Sequence, residues 1–576
     1  MDAGWRYLFS VARPLRRTIV LATLAGLSWQ AAAIASPLLV RRAVDGGIVH
    51  HSSRALWWSC AGVAALGVVE AVSGAMRHYN AILNYARADA HVRDGIFRRA
   101  LELDARYHDR VGAGDLISRA SNDARLVARL FDNIGHTMGY VLTVVGTSAV
   151  LLAIDWRLAV AVLAPLPLIS LGGARYSRRY AERTRINQER LSDTTVLAEE
   201  TIAGIRVVKG LGAEAALRAR FRRESDEVVR TALAVADVDA VFLPVLEALP
   251  LIGVLVVLAY GGRLATHHEI TVGTFAAFTF YLALLVTPLR TLGQRVSTVQ
   301  RAAAAARRIA EVMAAEPTVV ERGNARPFPA NAAVRFENVR FAYAEEDAVL
   351  DGFELEIPAG TSLALVGATA SGKSTAAALL ARFYDPEQGR ITIGGVDVRD
   401  IALADLRRSV GLVFEDTFLF GDTVRGNVRF AAPDAGEDAI RKAARLAGAA
   451  EFVERLPEGY ETMLGERGFS LSGGQRQRLA IARAILADPE VLILDDATSA
   501  VDATKEHEIR AALGEVMAGR TTLVIAHRPA TIALAERVAI VEAGRVVEQG
   551  THEELLAQSP RYRKLLALAR AEEAAA

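Results

Sequence analysis

The stretch "SLALVGATASGKSTAAALLARF", Ser362–Phe383, decides the fold of the C-terminal half of this chain. An apolar run enters at Gly367, and an alanine-rich helical run leaves after Thr375. Between them Gly367, Ala368, Thr369, Ala370, Ser371, Gly372, Lys373 and Ser374 satisfy the phosphate-loop pattern GxxxxGK[ST] in its strand–loop–helix setting. Glycine lets the backbone come close, successive N–H groups and the helix N-terminus cradle phosphate oxygens, and Lys373 reaches the β and γ oxygens. Ser374 is placed to ligate Mg²⁺. ATP and Mg²⁺ are the expected cofactors.

Further along, "VLILDD" (Val491–Asp496) reads as a buried strand ending in acid. Asp495 suits a water-mediated hold on Mg²⁺, and Asp496 should face the attacking water. Between loop and strand, "LSGGQRQRLAIARA" opens a helix with Ser472, Gly473, Gly474 and Gln475, offering a hydroxyl and bare N–H groups to an anion. Alone, such a turn could be only a helix cap. Its place between a phosphate loop and an acidic strand makes it a nucleotide contact. From about Val334, short β-rich runs alternate with helical ones, the pattern of an α/β domain with a largely parallel sheet.

Upstream the character differs. The chain has 576 residues, 52% hydrophobic and 23% charged, with Lys+Arg 67 against Asp+Glu 66. Its mean hydropathy of +0.22 is high for a soluble protein, yet the charge content is too high for a pure membrane bundle, so a membrane part joined to a soluble part is expected. Balanced charge gives no reason to expect nucleic acid. Cys60 is the single cysteine, which excludes an intrachain disulfide and a thiolate metal cluster. The apolar run after the N-terminal arginines is too long for a signal peptide and lacks a convincing cleavage site. Six apolar stretches could cross a bilayer, at 20–40, 56–76, 134–154, 158–174, 241–262 and 272–289. Short links join the third to the fourth and the fifth to the sixth. The long links from the second to the third and from the fourth to the fifth are rich in arginine, so the positive-inside rule places both termini and these two links in the cytoplasm. Those links lack proline and read as helical extensions, with hairpin tips at "DRVGAGDL" and "KGLGAEAALRARF". Glu70 and Glu247 lie inside apolar spans and face either a substrate cavity or a hydrogen-bonded packing contact. "AAEPTVVERGNARPFPANAA" breaks helical periodicity with prolines and reads as a linker. The expected organisation is a helical membrane domain over 1–315, a linker over 316–333 and a nucleotide-binding domain over 334–576.

Together these motifs resemble the ATP-binding cassette (ABC) family, specifically exporter-type half-transporters of the type IV fold. In these, an α-helical six-span transmembrane domain is fused to an α/β P-loop nucleotide-binding domain. "FENVRFAY" is similar to the adenine-stacking strand with Tyr343 as its aromatic, "LSGGQ" to the signature and "LILDD" to the Walker B strand. "SAVD" with Asp502 is similar to the D-loop, "VIAHR" carries the switch histidine His527, and "FEDTFLF" with Glu415 sits at the Q-loop, another Mg²⁺ contact. The resemblance implies two nucleotide domains stacked head to tail, the signature of one closing over the phosphate loop of the other. It also implies helix tips that couple closure to the membrane half. A hydrophobic or amphipathic substrate, a lipid bilayer and a second half-transporter are the implied partners, in a cell membrane of bacterial inner-membrane type.

Three positions depart from the family pattern. Asp496 stands where the general base is normally glutamate, and losing one methylene retracts the carboxylate by about 1.5 Å. Glu415 replaces the Q-loop glutamine and adds negative charge near the γ-phosphate. Ala370 stands where glycine is preferred, and is the mildest of the three. Aspartate at the Walker B position is typical of the degenerate site of heterodimeric exporters, so a heterodimer is favoured over a homodimer with two active sites. An importer of siderophores with this fold remains open. A soluble cassette ATPase of DNA repair or translation is disfavoured by the six spans.

Overall fold

The computed structural model describes residues 2–575 apart from 165, 344–346, 466–467, 469–470, 498–510, 512 and 527; in parts of the helices and at the C-terminus it describes backbone alone. Asp502 and His527 therefore lie outside the described residues, as does the side chain of Glu247. The chain divides into two compact units, Met1–Leu101 with Ala113–Ala315, and Glu102–Gly112 with Glu316–Ala576.

The helical part begins with α1 (Ala3–Arg42) and α2 (Ser53–Glu102), followed by the short α3 (Ala105–Val111) and α4 (Ala113–Ser118). Next come α5 (Ala124–Ile154), α6 (Trp156–Leu163), α7 (Leu166–Ala203), α8 (Ile205–Leu211), α9 (Glu214–Val256), α10 (Gly262–Thr266) and α11 (Val272–Ala314). The stretches Ala3–Val49, Ser53–Glu102 and Ala113–Ile154 are long and apolar enough to cross a membrane, and Leu251–Thr266 and Val272–Pro288 are shorter apolar helices. The expected span at 158–174 falls partly on residues without described side chains. With 50 residues, α2 is about 75 Å long, more than twice a bilayer's hydrocarbon thickness of about 30 Å. The first charged link thus continues membrane-length helices, and the second runs along α7 and α9. Each turns where glycine permits a positive φ, at Gly112 (+76°) after α3 and Gly212 (+63°) after α8.

Small residues decide how α1 meets α5. A Cβ on Gly26 would lie 2.3 Å from the Gly135 carbonyl oxygen, and one on Gly135 would lie 2.5 Å from that of Ala22. Only bare backbone allows this crossing. Towards the charged ends, Leu8, Val11, Ala128, Phe131 and Ile309 form a core shared by α1, α5 and α11. There Arg308 grips Asp123 through Nε at 2.8 Å and a second, closer guanidinium contact. The α7 and α9 helices pair through Tyr176 Oη donating to Asp239 (2.7 Å) and Thr231 to Asn187 (2.9 Å).

In the second unit β1 (Val334–Phe341), β2 (Leu350–Ile357), β4 (Gln388–Ile393) and β5 (Val396–Asp397) form an antiparallel sheet in the order β2-β1-β4-β5. The main sheet has the order β10-β9-β3-β8-β7-β6, from β3 (Ser362–Val366), β6 (Val410–Val413), β7 (Val491–Asp495), β8 (Thr521–Ile525), β9 (Arg537–Glu542) and β10 (Arg545–Gly550). All its pairs are parallel except β9 with β10. Parallel strands are covered on both faces, which is why Ser362–Val366 is buried at every residue. Leu363, Leu365, Ile493 and Ile525 pack on one face with α12 (Lys373–Leu380). Ala364, Val366, Leu492 and Val524 pack on the other. The helices α13 (Leu403–Ser409), α14 (Val424–Val428), α15 (Glu437–Leu446), α16 (Ala450–Glu454) and α17 (Gly473–Ala487) follow, with Leu479 and Ile481 of α17 in that second core.

Candidate nucleotide site

Register places the site. Leu365 and Asp495 both pair with Ile525, from opposite sides of β8, so the ends of β3 and β7 lie in one row two strand spacings apart, about 10 Å. Ligands of parallel α/β sheets bind outside such carboxyl ends. The loop from Gly367 to Gly372 leaves this row at the end of β3 and leads into α12. A Cβ on Gly367 would lie 2.2 Å from the Val541 carbonyl oxygen, and Gly372 has φ +103° with Leu350 pressed against it, so neither position accepts a side chain.

Lys373 is 4% exposed, and its ammonium donates to the carbonyls of Gly367 (2.9 Å) and Ala368 (2.8 Å) and to Ser371 Oγ (3.4 Å). Burial pushes it below the usual lysine range, while Asp495 and Asp496 pull it partly back. Ser374 Oγ lies 3.4 Å from Asp495 Oδ1, so the two expected Mg²⁺ contacts from the loop and the strand converge. A hydroxyl and a carboxylate oxygen facing one point form a hard-oxygen set of the kind Mg²⁺ takes, with water and phosphate completing it. Glu415 is exposed, and among the described residues no group of three acids or histidines is gathered that could hold a metal.

Asp496 is buried (7% exposed), and its N–H donates to the Ile525 carbonyl at 3.0 Å. Its φ of +43° is left-handed, and so is that of Ala370 at +64°. Left-handed geometry costs a non-glycine residue about 1–2 kcal/mol. Ala370 is therefore more than the mild change its chemistry suggests, because the family's glycine would carry no such strain. Tyr343 is half-exposed, and its hydroxyl donates to Thr375 Oγ1 at 3.2 Å, beside the loop.

Ser472 is the N-cap of α17. Its Oγ accepts from the Gln475 N–H (3.3 Å), and its own N–H donates to Gln475 Oε1 (2.9 Å). This reciprocal capping box sets Ser472, exposed, with Gly473 and Gly474 at an open helix N-terminus.

The chain matches the family model of the ABC transporter transmembrane region over residues 19–289 and the ABC transporter family model over 350–499. It is similar to an ATP-dependent lipid A-core flippase of Chromohalobacter salexigens, at 38% identity over 97% of either chain. The chain belongs to the ABC transporter family. A Mycobacterium bovis multidrug efflux ATP-binding/permease protein is 38% identical over 98% of this chain but 47% of its own length. The chain thus spans about half the length of the first curated relatives it matches.

In the helical part of this ABC transporter chain, sequence reasoning chose acids and missed a buried cation. Glu70 is half-buried on α2. A groove of about 840 Å³ runs between α1 and α2, with Val69 but not Glu70 on its wall. Arg77, 8% exposed on α2, lies 4.8 Å over the Trp29 ring and bonds His136 Nδ1; Trp29 and His136 meet edge-on at 5.6 Å. Asn80 and Asn84 are buried on the same helix, and Arg295 of α11 donates to Asn133. The available signal was one arginine just past an apolar span, in "SGAMRHYN".

Proposed function

We propose that this chain is a half-transporter that uses ATP to export or flip a hydrophobic or amphipathic substrate. Residues 1–315 form its six-span membrane domain, 316–333 the linker and 334–576 the nucleotide domain. The termini and helix tips lie in the cytoplasm. The observation that carries the reading is the meeting of Lys373, Ser374, Asp495 and Asp496 at the carboxyl ends of β3 and β7, in a chain that also builds membrane-length apolar helices. Lys373 and the loop N–H groups hold the phosphates, and Tyr343 stacks the base. Ser374 and Asp495 would hold Mg²⁺, which when bound neutralises charge on the β and γ oxygens. Asp496 orients the attacking water from a short side chain, so this site turns over slowly. Ser472 to Gln475 complete a partner's site, and the heterodimer is preferred. Partner contact is supported by two apolar surfaces: Ile205, Val207 and Leu211 are exposed on tip helix α8, and Phe418, Phe420 and Phe430 are exposed on the nucleotide unit. Arg77 and Arg295, two cations of the helical part, favour a substrate with an anionic polar end.

The test is transport by the full-length chain in liposomes, with its co-purifying partner where one is captured. A fluorescent anionic phospholipid should move between leaflets when MgATP is added, and Lys373→Ala should stop it. ATP hydrolysis with no movement of that lipid, of a neutral lipid or of a hydrophobic dye would contradict the reading.

A further inference from the structure

The phosphate-loop helix has a second grip at its other end. Arg382 and Tyr384 follow α12 directly. Arg382, 1% exposed, donates to the Val320 carbonyl (3.0 Å) and to Asp385 (3.0 Å). Tyr384, 8% exposed, donates its hydroxyl to Asp109 of tip helix α3, and its ring meets that of Tyr343 edge-on at 5.3 Å. From the same tip, Arg106 lies 5.7 Å over the Phe341 ring and donates to the Ala342 carbonyl at 3.4 Å. Asp104 caps α3 through the Tyr107 N–H (3.1 Å) and accepts from the Thr318 hydroxyl (2.5 Å) and Val319 N–H (3.1 Å). The tip, the linker and the aromatic beside the phosphate loop thus converge on the residues that close α12.

We propose that Tyr384 is a positioning residue that passes nucleotide binding at Tyr343 to tip helix α3 through its ring edge and its hydroxyl bond to Asp109. The inference rests on the reading of Tyr343 as the base-stacking residue. The edge of one ring rests on the other, so a tilt of Tyr343 to stack a base changes the contact that Tyr384 makes. The phosphates act on the same point by another route, because they bind at the N-terminus of α12, about 12 Å from its far end. A hydroxyl bonded to a carboxylate is charge-assisted and directional, which suits it to move a helix rather than merely touch it. Burial, and next the bond to Asp109, push the Tyr384 phenol up, so it stays a donor at physiological pH.

The test uses the full-length chain in lipid nanodiscs with Cys60→Ala and a bimane label on Arg110→Cys, an exposed site on the tip. Two quantities are read: affinity for a fluorescent ATP analogue, and the label's response to MgATP. Tyr384→Phe keeps the ring and should leave affinity within about twofold while cutting the response at least about threefold. Asp109→Ala should do the same, the double variant should be no worse than either, and Asp109→Asn, which keeps an acceptor, should retain most of the response. A full response in Tyr384→Phe, or additive losses in the double variant, would overturn the relay while leaving nucleotide binding intact. Failure of the unsubstituted chain to bind the analogue would instead overturn the nucleotide reading, and the relay with it.

Discussion

Replacing Ser472 with aspartate separates the two nucleotide surfaces of this chain. Ser472 caps α17, so substitution by a residue that cannot cap would weaken the helix as well as the site. Loss of such a cap costs about 1 kcal/mol, and Ser472→Ala should lower turnover about fivefold at most through that route. Aspartate caps as well as serine, so Ser472→Asp keeps α17 while presenting a carboxylate to the γ-phosphate of the facing site. Two like charges about 4 Å apart at an effective dielectric of about 20 repel by about 4 kcal/mol. Even half of that, about 2 kcal/mol, is a loss of about 30-fold in rate. In the heterodimer, Asp496→Asn should cost about twofold or less, because its short carboxylate contributes little to its own slow site. The assay is steady-state ATPase of the purified complex in lipid, with circular dichroism to show that each variant is folded. If Asp496→Asn falls as far as Ser472→Asp, then Asp496 is a working base and the division of labour between the two surfaces is wrong.

Lys373→Ala should abolish nucleotide photolabelling of this subunit, since it removes a buried ammonium from the loop; undiminished labelling would sink the assignment. Fluorescent-ATP binding should weaken as pH rises through the Lys373 pKa, which lies below the usual lysine range. Asp496→Asn, by removing one of the charges that pull it up, should shift that loss to lower pH in a binding titration. Gly367→Ala drives a methyl to 2.2 Å from the Val541 carbonyl and should unseat the loop, read as lost ATP binding in a chain that still purifies as folded. Ala370→Gly removes left-handed strain of about 1–2 kcal/mol, offset in part by glycine's extra freedom of up to about 1 kcal/mol, and should leave the folded chain as stable or slightly more stable in thermal unfolding; a clear loss of stability would refute the strain argument.

Much of the nucleotide domain was legible because its chemistry is local. A phosphate loop must lie between a strand and a helix, and "SLALVGATASGKST" states all three within one short stretch. Meetings across long separations were only partly legible. The convergence of Ser374 with Asp495 could be expected from motif order, but its cause is the row Leu365–Ile525–Asp495, which depends on strand order in space. Backbone sign was hidden as well. Nothing in "GATASGKST" says that Ala370 has a positive φ, so its cost was underrated. In the helical part, hydropathy finds spans but not faces. Glu70 drew notice as a charge inside an apolar run, whereas Arg77, at a run's end, is the one the fold buries. The bond between Tyr384 and Asp109 was half legible: Asp109 opens the hairpin tip "DRVGAGDL", but nothing marked Tyr384, far along the chain, as its partner.

The conformation of Asp496 changes how its shortness should be read. At φ +43° the left-handed region favours aspartate and asparagine, whose short polar side chains bond locally, over longer residues. Asp496→Glu would extend the base toward water, and it would also put a less suited side chain on that backbone. A failure of this substitution to raise turnover would not by itself show that the site is slow for other reasons. Asp496→Asn keeps the backbone preference and removes only the charge, so it is the cleaner probe of catalysis. The same substitution removes one of the two carboxylates acting on Lys373, so its ATPase rate must be compared at saturating ATP. Under that condition a small loss means that the carboxylate does little chemistry, and a large one means that it acts as the base despite its length.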